Sequence, residues 1–133
     1  MKLIKFIIVV LFFHSLAYAD KNMKIGSKGK ESEVSRVVKV VMYDNYYEPS
    51  SFQIKAGETV KFEVENAGML VHEFNIANKM MHMEHQPEMM KMVENGILLA
   101  FSIDKEKMKK MAKMDKSMGH SHGNSVLLEP RQK

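Results

Sequence analysis

The chain has 133 residues, 45% apolar and 27% charged, with a formal charge of +4 from 20 basic and 16 acidic side chains. That length excludes a large multidomain enzyme, and the composition excludes a disordered or polytopic membrane protein. A charge so small and interspersed gives no argument for nucleic acid. There is no cysteine, which excludes disulfides, thiolate catalysis, cysteine-type zinc sites and blue copper, whereas the 14 methionines are an unusual excess.

Residues 1–19 read as a cleavable secretory signal. Met1 to Lys5 is short and basic, Phe6 to Phe13 is continuously apolar, and Ala17-Tyr18-Ala19 fits a small-x-small cleavage pattern. The apolar stretch is shorter than the roughly 20 residues that span a bilayer, so no stable membrane insertion is expected after cleavage. An exported chain without cysteine suits a bacterial periplasm. Residues 20–33, rich in Lys, Ser and Gly, read as a flexible tether.

The domain proper is expected over residues 34–133. Val34 to Tyr43 is rich in β-branched residues and predicts a strand, followed by a turn with aromatic anchors at Tyr46 and Tyr47. Phe52 and Ile54 alternate with polar neighbours, predicting a strand over 52–55. Thr59 to Glu65 alternates cleanly, with Val60, Phe62 and Val64 on one side, and predicts a half-buried strand of an antiparallel sheet. Val71 to Ile76 predicts a further strand in which His72, Phe74 and Ile76 share a face. Short strands at this spacing argue for a β-sandwich or barrel.

The character changes after Lys79, and residues 79–118 read as a Met/His-rich helical insertion. Pro87 suits the first turn of a helix running to Asn95, with Gly96 as its stop. Ile97 to Ile103 fits a strand or a buried turn. Asp104 can cap a second helix through Lys116, with Met108, Met111, Met114 and Met118 as a buried stripe. Lysines 105, 107, 109, 110, 113 and 116 around that stripe read as a solvated face. Gly119 to Asn124 is a loop, and Ser125 to Leu128 a last strand before Lys133. These strands are fewer than the seven or so of a Greek-key sandwich, so either the helices complete the core or the domain is incomplete at its C-terminus.

The stretch F-Q-I-K-A-G-E-T-V-K-F at residues 52–62, then Asn66, Gly68 and V-H-E-F at 71–74, resembles the exported copper-binding cupredoxins, of the plastocyanin and azurin kind. Residues 119–130, from G-H-S-H-G-N-S-V to L-E-P, also resemble that group. The resemblance implies an all-β Greek-key sandwich holding one copper, with His72 as its first ligand. It further implies a Cys, a second His and a Met on a later loop; the chain stops before that loop and has no Cys, so the type 1 site cannot be completed.

His72, sharing a strand face with Phe74, also fits a hydrogen-bonded core residue. A second metal candidate lies in the insertion: Met80, Met81, His82, Met83 and His85 offer thioether and imidazole donors suited to Cu(I). Packing is the competing reading, since Met is also a flexible core filler. His120 and His122 sit in a Gly-bounded loop as exposed candidates. The metal ligands expected from the sequence are therefore His72, His82 and His85, with copper as the cofactor. No enzyme motif is found, and an enzyme is not expected. The leading reading is a periplasmic cupredoxin-like protein for copper handling or electron transfer, working with a redox or copper-transfer partner. The alternatives are a Met/His-based Cu(I) chaperone or buffer, and an inert partial domain or partner-binding module.

Overall fold

Strand β1, Arg36–Met42, is the centre of the first sheet. It pairs antiparallel with the two-residue β2, Tyr47–Glu48, and parallel with β3, Val60–Asn66, giving the order β2-β1-β3. A second sheet joins β4, His72–Asn75, antiparallel to β5, Ser125–Leu128. Helix α1 spans Lys79–Glu94 and α2 spans Lys105–Ala112, with 3-10 turns at Glu31–Glu33 and Lys116–Gly119. This is a computed structural model describing residues 25–120 and 122–133; the expected signal, 1–19, and the first tether residues lie outside the described residues.

The two-stranded sheet is the middle layer. Strand alternation sends Phe74 and Leu128 to one side, where they pack with Val40, Met42 and Phe62 of the first sheet. On the other side Leu127 packs against the helical layer, whose buried apolar residues are Met92, Ile97, Ile103 and Met118. The molecule is thus a β core of two sheets carrying two helices on its far face. Asn66, fully buried, fastens the sheets: its Nδ2 donates to Leu70 O at 2.8 Å and Leu128 O at 2.9 Å, and its Oδ1 accepts from Gly68 N at 2.9 Å.

Several elements differ from the sequence expectation. The 59–65 strand does form, but it runs parallel to β1, because the 49–59 segment crosses back before β3 begins. Residues 52–55 form no ladder. They are held by a side chain, Arg36 Nη2 donating to Gln53 O at 2.7 Å, while Phe52 packs on Phe62 in a tilted arrangement with ring centres 5.3 Å apart.

Helix α1 begins eight residues before Pro87. Asn78 accepts from Met81 N at 2.9 Å and supplies the cap, so Pro87 sits inside the helix and gives up only its own bond to the preceding turn. The helix ends as expected at Gly96, in the left-handed region at φ 62. Ile97 N bonds Met92 O and Gly96 N bonds Val93 O, the two reverse bonds of a Schellman end, with Ile97 packed on Met92. Helix α2 is capped by Asp104 as expected but stops at Ala112, where Asp115 caps a separate 3-10 turn. Of its predicted stripe, Met108, Met111 and Met118 pack against the core, and Met114 is 79% exposed.

Candidate metal centre

The strand face opposite His72 carries Glu73, which must point away from the sandwich and toward α1. On α1, residues 81, 85, 88, 89 and 92 follow the spacing of one helical face, and His85 and Met92 are its buried members. The loop after the second 3-10 turn supplies His120 and His122. Asn124 ties this loop to the end of β4, its Nδ2 donating to Ile76 O at 2.9 Å while Ile76 N donates to Asn124 O at 2.9 Å.

These elements converge on one cluster. His85 Nε2 lies 2.9 Å from Glu73 Oε1, His120 Nε2 lies 3.0 Å from the same oxygen, and the two Nε2 atoms are 3.3 Å apart. On the other edge of the His85 ring, Nδ1 is 3.3 Å from Glu88 Oε2, which is 3.0 Å from His122 Nε2. The inner side is the drier one: the His120 side chain is 4% exposed and Glu73 16%, against 35% for His122. Burial works to raise the Glu73 carboxyl, but the hydrogen bond from His120 and the charges of His85 and His120 outweigh it and hold the group below the usual glutamate value.

His120 occupies the left-handed region, at φ 44 and ψ 47. That conformation is uncommon for a side chain with a Cβ, although histidine tolerates it better than most, and here it directs the ring at Glu73.

Donor spacing provides a test of fit for a metal ion. Two donors each about 2.0 Å from one ion are about 2.8 Å apart at a right angle and about 3.3 Å apart at the tetrahedral angle. The separations of 2.9, 3.0 and 3.3 Å among Glu73, His85 and His120 fall in that range. Imidazole and carboxylate donors suit a borderline divalent ion such as Cu(II). A type 1 copper centre does not fit, because the chain has no cysteine. Glu88, accepting from His85 Nδ1–H, would fix the ring with its Nε2 lone pair turned inward, the usual outer support of a metal-bound histidine.

The three ligands expected from the sequence do not come together. His85 is central to the cluster. His82, three residues away on α1, is exposed and belongs to no three-donor group among the described residues. His72 faces the other way: its Nε2 is 2.9 Å from Asp44 Oδ1, and that carboxylate also accepts from Met69 N and Leu70 N. The His72 hydrogen bond, then these backbone donors, hold Asp44 below the usual aspartate value. His120, expected to be exposed, is half-buried as a residue, with its side chain turned inward. Glu73 and Glu88 were missed altogether, although strand alternation around His72 and the 81–85–88–92 spacing on α1 carry the signal. A larger cleft of about 370 Å³, lined by Leu70, Val71, Val93 and Leu99, touches the cluster only at Glu73 and offers no imidazole.

Residues 5–97, more than half of the chain, match the cupredoxin-like domain family. The chain is 39% identical over 119 residues to a protein of Pseudomonas aeruginosa named copper-resistant cuproprotein CopI, covering 79% of this chain and 61% of that one. A Rubrivivax gelatinosus protein of the same name is 33% identical over 78 residues, covering 57% of this chain and 47% of that one. The chain thus spans less than two thirds of the length of these curated relatives. No solved structure matches it significantly. No helix among the described residues is long and apolar enough to cross a membrane.

Proposed function

We propose that this chain, which belongs to the cupredoxin-like domain family, binds copper as cargo at Glu73, His85 and His120 and serves copper handling outside the cytoplasm. The observation that carries this reading is the convergence of two imidazole nitrogens and one carboxylate oxygen within 3.3 Å of one another in a largely dry site. The names of the relatives, cuproproteins of copper resistance, point to the same metal. Export is supported by the basic start, the apolar run and the Ala17-Tyr18-Ala19 pattern. We read the two packed sheets, with β1 and β3 parallel and joined by a crossing segment, as the Greek-key sandwich of the family.

Copper handling is favoured over electron transfer, since the donors gathered at this site are nitrogen and oxygen, with no thiolate among them. A second reading, a Cu(I) buffer on the outside of α1, is favoured by one observation. Met80 and Met83 are 48% and 54% exposed beside the exposed His82, so these thioethers are not filling the core.

The test is Cu(II) competition against a chromogenic chelator. His85→Gln and His120→Gln should each weaken binding at least tenfold, the lower end of what outer-shell changes alone cost. His72→Gln and His82→Gln should leave it unchanged. Dominance of His72→Gln would move the site to the opposite face of β4.

A further inference from the structure

The His85 ring has two faces of use, and only one belongs to the position just described. Its Nδ1 looks outward to Glu88 and His122, and these three donors lie within 4.8 Å of one another. We infer that His85, Glu88 and His122 form a second, outer position for a divalent copper ion, through which the ion loads before it is held at Glu73 and His120. The inference rests on the reading of Glu73, His85 and His120 as the holding position.

Three observations support it. First, the outer donors open on a cleft of about 190 Å³ that is also lined by Met81, Glu84 and Asn124, so an incoming ion meets them before the inner set. Glu88 and His122 are 32% and 35% exposed, whereas Glu73 and His120 are 16% and 4% exposed. Second, the outer donors carry the charge that attracts a cation, with Glu84 and Glu88 both on the cleft wall. Third, the His85 ring joins the two positions without any element having to move, its centre 5.0 Å from that of His122 and 5.1 Å from that of His120.

A neutral imidazole has one N–H and one lone pair, so the ring serves the two positions alternately. With the ion outside, Nδ1 ligates and Nε2–H donates to Glu73. With the ion inside, Nε2 ligates and Nδ1–H donates to Glu88. The ring proton passes between its nitrogens through solvent, and no proton is gained or lost overall. Each carboxylate is a ligand in one state and a hydrogen-bond acceptor in the other. The scheme requires one ion per chain, since filling both positions at once would strip the neutral ring of its one N–H proton.

The experiment is stopped-flow uptake of Cu(II), buffered with glycine, by the full purified chain, followed by quenching of tyrosine fluorescence and paired with equilibrium competition. His122→Gln should slow uptake roughly tenfold, while the final affinity stays within about threefold of wild type, because the holding donors are intact. His122→Glu, which keeps a donor, should restore the rate. His120→Gln should do the reverse, weakening affinity with little effect on the first phase. Loss of affinity in His122→Gln without a change in rate would overturn the inference and make His122 a holding ligand. Unchanged rate and affinity would overturn it as well. If His120→Gln has no effect on affinity, the reading of the holding position itself has failed.

Discussion

His120 Nε2 stands 3.3 Å from His85 Nε2, and both atoms point at one oxygen of Glu73. The two rings come from a helix and a loop 35 positions apart, and neither is placed there by local sequence. Glu73 Oε1 has two lone pairs and can accept from both rings, so the three atoms form one hydrogen-bonded group. The same spacing is that of three donors on one ion, and the His120 backbone that aims its ring there lies in the left-handed region.

Colour follows directly from the donor set. With no thiolate in the chain, Cu(II) should give only the weak visible absorption of nitrogen and oxygen ligation. An intense blue or green band in thiol-free buffer would contradict it.

The exposed thioethers of α1 separate the two copper states. Replacing Met80 and Met83 by Leu together with His82→Ala should weaken Cu(I) binding and leave Cu(II) affinity where it is, as read by competition with chelators selective for each state. Equal weakening of both would mean that one shared site serves them. No effect on either would mark the segment as surface decoration.

Asn66 is the polar rivet between the sheets, and its donors matter more than its shape. Asn66→Asp replaces an amide that serves two carbonyl oxygens with a carboxylate that repels them. Leaving those carbonyls unsatisfied should cost on the order of 3 kcal/mol. Urea denaturation checks this; a loss under about 1 kcal/mol would mean that water replaces the amide.

Acid sensitivity should run through Glu129. Its carboxylate accepts from Ile103 N at 2.8 Å and pairs with Lys105 at 3.2 Å, tying the chain end to the start of α2. The Ile103 backbone bond, then Lys105, hold its pKa below the usual 4.5. A carboxyl depressed in the folded state protonates more readily in the unfolded chain. Its contribution is therefore present above the usual value and lost as pH falls through the depressed one. Stability measured from neutral pH down to about pH 3 should fall less steeply in Glu129→Gln than in wild type. Identical slopes would contradict the assignment.

Much of the β core was legible because alternation and β-branching report burial directly. The ladders at 36–42, 60–66, 72–75 and 125–128 lie within a residue or two of where the sequence places them. The 52–55 segment alternates equally well yet forms no ladder, since pairing depends on a neighbouring edge that no local pattern encodes. The helix start was misjudged because Pro87 is a strong local signal and Asn78 a quiet one. That error hid the face that carries His85 and Glu88, as a helix beginning at 87 leaves His85 outside it. The partner faces were hidden differently. His72 drew attention through its resemblance to a known ligand, while the neighbouring Glu73 on the opposite face is the one that meets the histidines.

The central claim is that copper sits between Glu73, His85 and His120, and electron paramagnetic resonance of the Cu(II)-loaded chain tests it most directly. An axial spectrum with coupling to two imidazole nitrogens is expected, reduced to one in His120→Gln and unchanged in His72→Gln. Coupling that survives in both His85→Gln and His120→Gln but disappears in His72→Gln would contradict it.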